Sequence, residues 1–96
     1  MTSTSRSELQ LENNTFRVTK WIIDPGGVIP MHRHDYPYVV VPLMTGSMTV
    51  TMADGTVLST ELEAGASYTR PAGGEHEVAN HSEDVTVEFV EIEWIG

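Results

Sequence analysis

His32, Arg33 and His34 set two imidazoles two residues apart within Gly26-x5-His32-x-His34, and a third follows in Gly65-x5-Pro71-x-Gly73-x2-His76-x3-Asn80. Residues two apart in an extended strand point to the same side, so His32 and His34 can aim at one point. A third imidazole from another strand, His76, would complete a metal triad. Imidazole nitrogen suits iron, nickel, copper and zinc, so the residues leave the metal open.

Such a triad needs strands to carry it, and the chain reads as strands almost throughout. Phe16 to Ile23 is rich in aromatic and β-branched residues and stops at Asp24-Pro25-Gly26-Gly27. Val28 to His34 carries the histidine pair. Tyr38 to Met44 is nearly all apolar, and its Pro42 cannot donate to a ladder, which places it at a bulge or a sheet edge. Ser47 to Met52 and Val57 to Leu62 flank Asp54-Gly55, the turn chemistry of a hairpin. Val85 to Trp94 alternates, with Glu91 and Glu93 on one face and Val90, Ile92 and Trp94 on the other; the apolar face could cover a core or meet a partner. Trp21, Met31, Met44, Met48, Met52, Phe89 and Trp94 supply bulk for an interior. Residues 1–14 are expected to form a flexible lead-in, and residues 15–96 one all-β domain. About eight short strands with Gly and Pro turns favour an antiparallel jelly-roll barrel, which leaves few exposed edges.

Composition removes several functions. With 96 residues there is room for one core. Fourteen acidic against five basic side chains give a net charge of −9, which disfavours nucleic acid and anionic lipid as partners. The absence of cysteine excludes disulfides, a thiolate nucleophile and thiolate zinc sites. Met1 to Ser7 has no basic start followed by an apolar run, so a cytoplasmic protein is expected. The apolar stretch from Tyr38 to Met44 is far short of the roughly 20 residues a spanning helix needs. No serine sits in a nucleophile elbow, and no Gly-rich phosphate loop occurs.

The two motifs together resemble those of the cupins. Gly65, Pro71, Gly73, His76 and Asn80 match the second cupin motif at every position, and Gly26, His32, His34 and Gly46 match the first, over a resemblance running from Phe16 to Trp94. The resemblance implies a conserved barrel with a divalent transition metal near its centre, held by His32, His34 and His76. Iron is the foremost candidate, with nickel, zinc, manganese and copper as alternatives. A looser resemblance is to compact bacterial cupins encoded beside β-alanine degradation genes.

The chain departs from the motif where cupins carry a glutamate ligand, since the two usual spacings land on Tyr38 and Val39. Alternation turns Tyr38 inward, but a phenol with a pKa near ~10 is a poor ligand, so Tyr38 is expected to hydrogen-bond water or substrate as a catalytic residue. Three neutral imidazoles leave a divalent ion its charge and open positions, which can take a bidentate substrate together with dioxygen or water. Cupins with such sites resemble non-haem dioxygenases; others are isomerases and lyases of oxo acids or sugar acids, where Tyr36 or Tyr38 could move a proton. Arg70, before Pro71, could bind a substrate carboxylate, and Tyr36 is a second candidate substrate contact. Arg33 should point away from the histidines, and so should Glu75 and Glu77; His81 reads as a surface turn residue. The expected ligand is a small molecule, and a homodimer through an outer sheet face is expected. Three functions remain open: a metal-dependent enzyme, a small-ligand-binding or sensing module, and a structural barrel.

Overall fold

The computed structural model describes residues 4–96; Met1, Thr2 and Ser3 lie outside the described residues. Among the described residues nine strands follow one another: β1 (Ser5–Glu12), β2 (Phe16–Ile23), β3 (Val28–Arg33), β4 (Tyr38–Pro42), β5 (Gly46–Met52), β6 (Val57–Leu62), β7 (Tyr68–Arg70), β8 (Glu75–Ala79) and β9 (Val87–Trp94). They form two antiparallel sheets, a five-stranded one in the order β1-β2-β9-β4-β7 and a four-stranded one in the order β3-β8-β5-β6. No helix occurs among the described residues. This is the jelly roll that the alternation implied.

The core lies between the sheets, where Ile23, Tyr38, Val40, Val87 and Phe89 of the larger sheet meet Ile29, Met48, Val50, Leu62 and Val78, all but Leu62 and Ile29 in mid-sheet positions. Each such side chain contributes roughly 1.5–3 kcal/mol on leaving water. In β9 the inward face is Val87, Phe89 and Glu91, all buried, and the alternating set Val90, Ile92 and Trp94 therefore faces outward. The face formed by Val90, Ile92 and Trp94 is thus the outer one, and Val87 and Phe89 supply the apolar contact with the core. Trp94 and Met31, read as interior bulk, are accordingly exposed, at 57% and 48%.

Within residues 1–14, read as a flexible lead-in and of which residues 1–3 lie outside the described residues, Ser5–Glu12 instead form β1, which pairs antiparallel with β2 from Ser5↔Ile23 to Glu12↔Arg17. Its side chains are almost all exposed, so it offers little apolar signal, and it is held by its ladder, by Arg6–Asp24 at 2.8 Å and by the Ser5 hydroxyl donating to the Val28 carbonyl. Pro42 behaves as its chemistry demands. Leu43 N–H donates to Glu88 across β9, so the Pro42 nitrogen faces the other neighbour, β7, whose pairing with β4 ends at Val40↔Tyr68.

Two motif residues act as fasteners of this frame. Asn80 is fully buried, and its Nδ2 donates to the carbonyls of Ile23, Asp24 and Val85 while its Oδ1 accepts from Ser82 N–H. It ties the β2–β3 turn to the β8–β9 connection. Gly73 takes φ +94°, a conformation nearly closed to other residues, and in that turn its N–H donates to the His34 carbonyl while His34 N–H donates to Gly74. The turn thereby grips the backbone of a candidate ligand.

Candidate metal centre

His32 and His76 are direct partners across the β3–β8 ladder, and a register shift between Ile29 and His32 sets that alignment. His34 follows the end of β3 and is held by the Gly73-Gly74 turn. The three Nε2 atoms converge: His34 lies 2.9 Å from His32 and 3.0 Å from His76. Among the described residues these three alone form a cluster of metal-ligating side chains with atoms within 4.8 Å of one another.

The protonation states suit a cation. His32 Nδ1 lies 2.8 Å from the Pro30 carbonyl, which can only accept, so in neutral His32 the proton sits on Nδ1 and Nε2 offers its lone pair inward. Burial, aided by the neighbouring imidazoles, lowers His34 to about 4. His76 also falls to about 4, from burial first and then His32 and Arg70. The His34 and His76 rings are thus uncharged at neutral pH. His34 Nε2 can give a proton to one neighbour only, whereas a central cation satisfies all three lone pairs at once. Separations of 2.9 and 3.0 Å are also those of nitrogens roughly at right angles around an ion with bonds of about 2.1 Å. The residues fit a divalent transition metal.

A cavity of about 220 Å³ opens beside the cluster, walled by His76, Tyr38, Tyr68, Arg70, Glu91 and apolar side chains such as Phe89 and Met48. That is room for the equivalent of about seven water molecules. Tyr38 is 5% exposed and its ring stacks on His34 with centroids 4.1 Å apart. Burial, then the charge of Glu91, pushes its phenol above the usual range, so it is a neutral hydrogen-bond donor. Arg70 borders the cavity with its guanidinium 4.8 Å from the Tyr68 ring and donating to the Thr69 carbonyl.

Tyr36, expected as a substrate contact, is not brought to this cavity. It sits in the β3–β4 connection, 36% exposed, with the Arg17 guanidinium 5.9 Å from its ring. The chain turns there, so strand alternation from His34 does not reach it. Arg33 does point away, toward Asp35 at 3.3 Å and Glu75 at 3.7 Å, and His81 is exposed and apart from the cluster. Sequence reasoning missed Glu91. It is 8% exposed, its Oε1 accepts from Trp21 Nε1 at 3.0 Å, and its Oε2 lies 4.0 Å from His34 Nε2. Burial raises its carboxyl to about 7, against the hydrogen bond from Trp21. Because His34 is neutral, this approach is not an ion pair.

Residues 19–93 match the family described as Cupin domain. The chain is a cupin. This cupin is 41% identical over 85 residues to the beta-alanine degradation protein BauB of Pseudomonas aeruginosa, covering 88% of the chain and 87% of the relative. A crystal structure of a cupin domain from Bordetella pertussis Tohama I, 40% identical, superposes with a TM-score of 0.91 over 98% of this chain and 96% of that one. A conserved double-stranded β-helix protein from Klebsiella pneumoniae shares 25% identity and a TM-score of 0.76, over 96% of this cupin and 77% of its own length. Among the described residues no helix is long and apolar enough to cross a membrane.

Proposed function

We propose that this cupin is a metal-dependent enzyme of small-molecule metabolism, with one divalent transition metal held by His32, His34 and His76 and dioxygenase-like chemistry on a small acid. The observation that carries this reading is the convergence of three imidazoles on one point beside a small cavity. Iron is the leading metal, since open positions on a nitrogen-ligated ferrous ion let substrate and dioxygen meet. The remaining work falls to the chain. His32 is locked in the ligating tautomer by the Pro30 carbonyl. Tyr38 offers a phenolic proton to a substrate oxygen, and its stacking holds the His34 ring. Arg70, at the cavity wall, is placed to meet a carboxylate, and Phe89 and Met48 keep the interior dry. Similarity to a protein named for β-alanine degradation supports a small amino or oxo acid as substrate.

Elemental analysis of tag-free protein, then anaerobic reconstitution with ferrous iron and oxygen uptake over a panel of small amino and oxo acids, tests this. Metal near one ion per chain with substrate-dependent uptake is the expected result. Stoichiometric metal with no turnover on any acid would instead favour a ligand-binding or sensing cupin. A second reading, isomerase or lyase, is favoured by the protonated Tyr38 inside the cavity, which can hand a proton to an enolate oxygen. It predicts product without oxygen uptake.

The same reading includes a cytoplasmic location and a homodimer. Support for the dimer is the outer face of the larger sheet, where Val18, Ile92 and Val39 are direct cross-strand neighbours and Val41 and Val90 form the next row. Ile92→Lys should shift the protein toward monomer in sedimentation velocity; an unchanged dimer would move the contact elsewhere.

A further inference from the structure

We propose that Glu91, entering from β9, is the anionic group of the metal centre, standing in for the glutamate that the first motif lacks. This rests on the reading of the triad as a metal site. The argument begins with charge. A buried carboxylate is costly unless a cation or several hydrogen bonds balance it. Among the described residues Glu91 accepts one side-chain hydrogen bond, from Trp21, and no lysine or arginine lies within ion-pair distance of it. Arg70, which shares the cavity wall, turns to the Tyr68 ring and the Thr69 carbonyl. The cation-capable side chain within 4.0 Å of Glu91 among the described residues is therefore His34 alone.

Geometry gives the carboxylate a direction. Trp21 holds Oε1, while Oε2 is the atom facing His34 Nε2, the nitrogen nearest to both other imidazoles. No side-chain oxygen is sealed away without a partner among the described residues, so Oε2 opens on the cavity that Glu91 lines. On one side stand three bases without an acid, and on the other an acid without a cation. A divalent ion is what both lack. At this distance the carboxylate lies outside the compact histidine cluster, so it acts on the centre by its charge and by accepting a hydrogen bond from a small molecule bound beside the triad. Tyr38, at the motif position, is the neutral donor of the pair.

The test is a competition titration of chelator-stripped protein with Zn²⁺ against a chromophoric chelator, at one pH, on wild type and three variants. Glu91→Gln can still accept from Trp21 but removes the charge, and should weaken Zn²⁺ about 10- to 100-fold. Tyr38→Phe should stay within about 3-fold of wild type. Trp21→Phe breaks the hydrogen bond and keeps the carboxylate, and should also stay within about 3-fold; it keeps the proposal testable if Glu91→Gln folds poorly. The absorption of Co²⁺-loaded protein gives a second readout, with a changed spectrum expected in Glu91→Gln alone. Equal affinities and spectra in wild type and Glu91→Gln would overturn the role of Glu91 while leaving the triad intact. Loss of affinity in Trp21→Phe equal to that in Glu91→Gln would also overturn it, assigning the pair to packing. Absence of Zn²⁺ binding by wild type would overturn both this inference and the metal site beneath it.

Discussion

The two sheets meet over one cavity with opposite chemistry. The four-stranded sheet and the turn that follows it present bare imidazole nitrogens, while the five-stranded sheet presents Glu91 and the phenol of Tyr38. Each half is electrostatically incomplete in the dry interior. Neutral bases tolerate burial by losing their protons, and a lone carboxyl tolerates it by keeping one. A site built from both halves keeps a histidine base and an acid 4.0 Å apart without neutralising each other as an ion pair. The difference between the sheets thus reads as a division of labour, lone pairs from one and negative charge from the other.

The largest expected effect breaks the basic half. His34→Ala or His76→Ala should reduce bound metal from near one ion per chain to a trace, measured by elemental analysis of tag-free protein. Full retention in both would refute the triad. His32→Ala should behave likewise, because His32 and His76 face each other across one ladder and His34 sits against both.

Next, the acidic half can be weighed by pH in metal-free protein. A carboxyl whose folded pKa of about 7 lies above its ordinary 4.5 binds more protons when folded, so its stabilising share is full below pH 4.5 and is lost as pH rises through 7. That loss is at most on the order of 3 kcal/mol. Glu91→Gln escapes it, so its melting temperature should exceed that of wild type at pH 8 and approach it below pH 4.5. The histidines run the other way. With folded values of about 4 against 6.5, His34 and His76 give stability that is present above pH 6.5 and lost as pH falls toward 4, in wild type and variant alike. A variant curve that merely parallels wild type at every pH would mean Glu91 ionises freely.

The halves also differ in how far they could be read from residues. The histidines are legible because spacing and the two motifs mark them; Gly73 and Asn80 are legible as motif positions, but their roles, a turn with positive φ and a clamp on the Ile23 and Asp24 carbonyls, emerge only in the fold. Glu91 is not, because alternation in Val85 to Trp94 defines two faces without saying which is inward. An acid between valine and isoleucine reads as solvent-facing, yet here Phe89 and Val87 share its face and decide the question. Register with Trp21, whose indole supplies the buried partner, lies 70 residues away in sequence and leaves no local signal. Strand β1 escaped for a related reason, since Leu9 and Leu11 are exposed and the strand is held by backbone pairing that any sequence can make. Tyr36 carries no spacing signal of its own, and it sits in the connection between β3 and β4 with the Arg17 guanidinium near its ring, away from the cavity.

A smaller effect is expected where the sheets touch. Tyr38 belongs to the acidic sheet but stacks on a ligand of the basic one, so Tyr38→Phe keeps the ring contact and removes only the hydroxyl. Metal content should be unchanged. Affinity for a small acid, measured by calorimetry on metal-loaded protein, should fall by about 1 kcal/mol, the net worth of one neutral hydrogen bond. Loss of metal instead would make the phenol a ligand and weaken the case for Glu91.

The smallest effect is informative because of where it occurs. Arg33 stands in sequence between two of the three imidazoles, but its guanidinium reaches Asp35 and Glu75 on the outside, with all three side chains well exposed. Exposed pairs of this kind are worth about 0–1 kcal/mol. Arg33→Ala should therefore change the denaturation midpoint only slightly and Zn²⁺ affinity by less than about 2-fold, since its charge is screened by solvent. If affinity moved as far as in Glu91→Gln, a charge on the outer face would matter as much as one inside. The division of labour between the sheets would then be no more than overall field, and the inward placement of Glu91 would lose its special meaning.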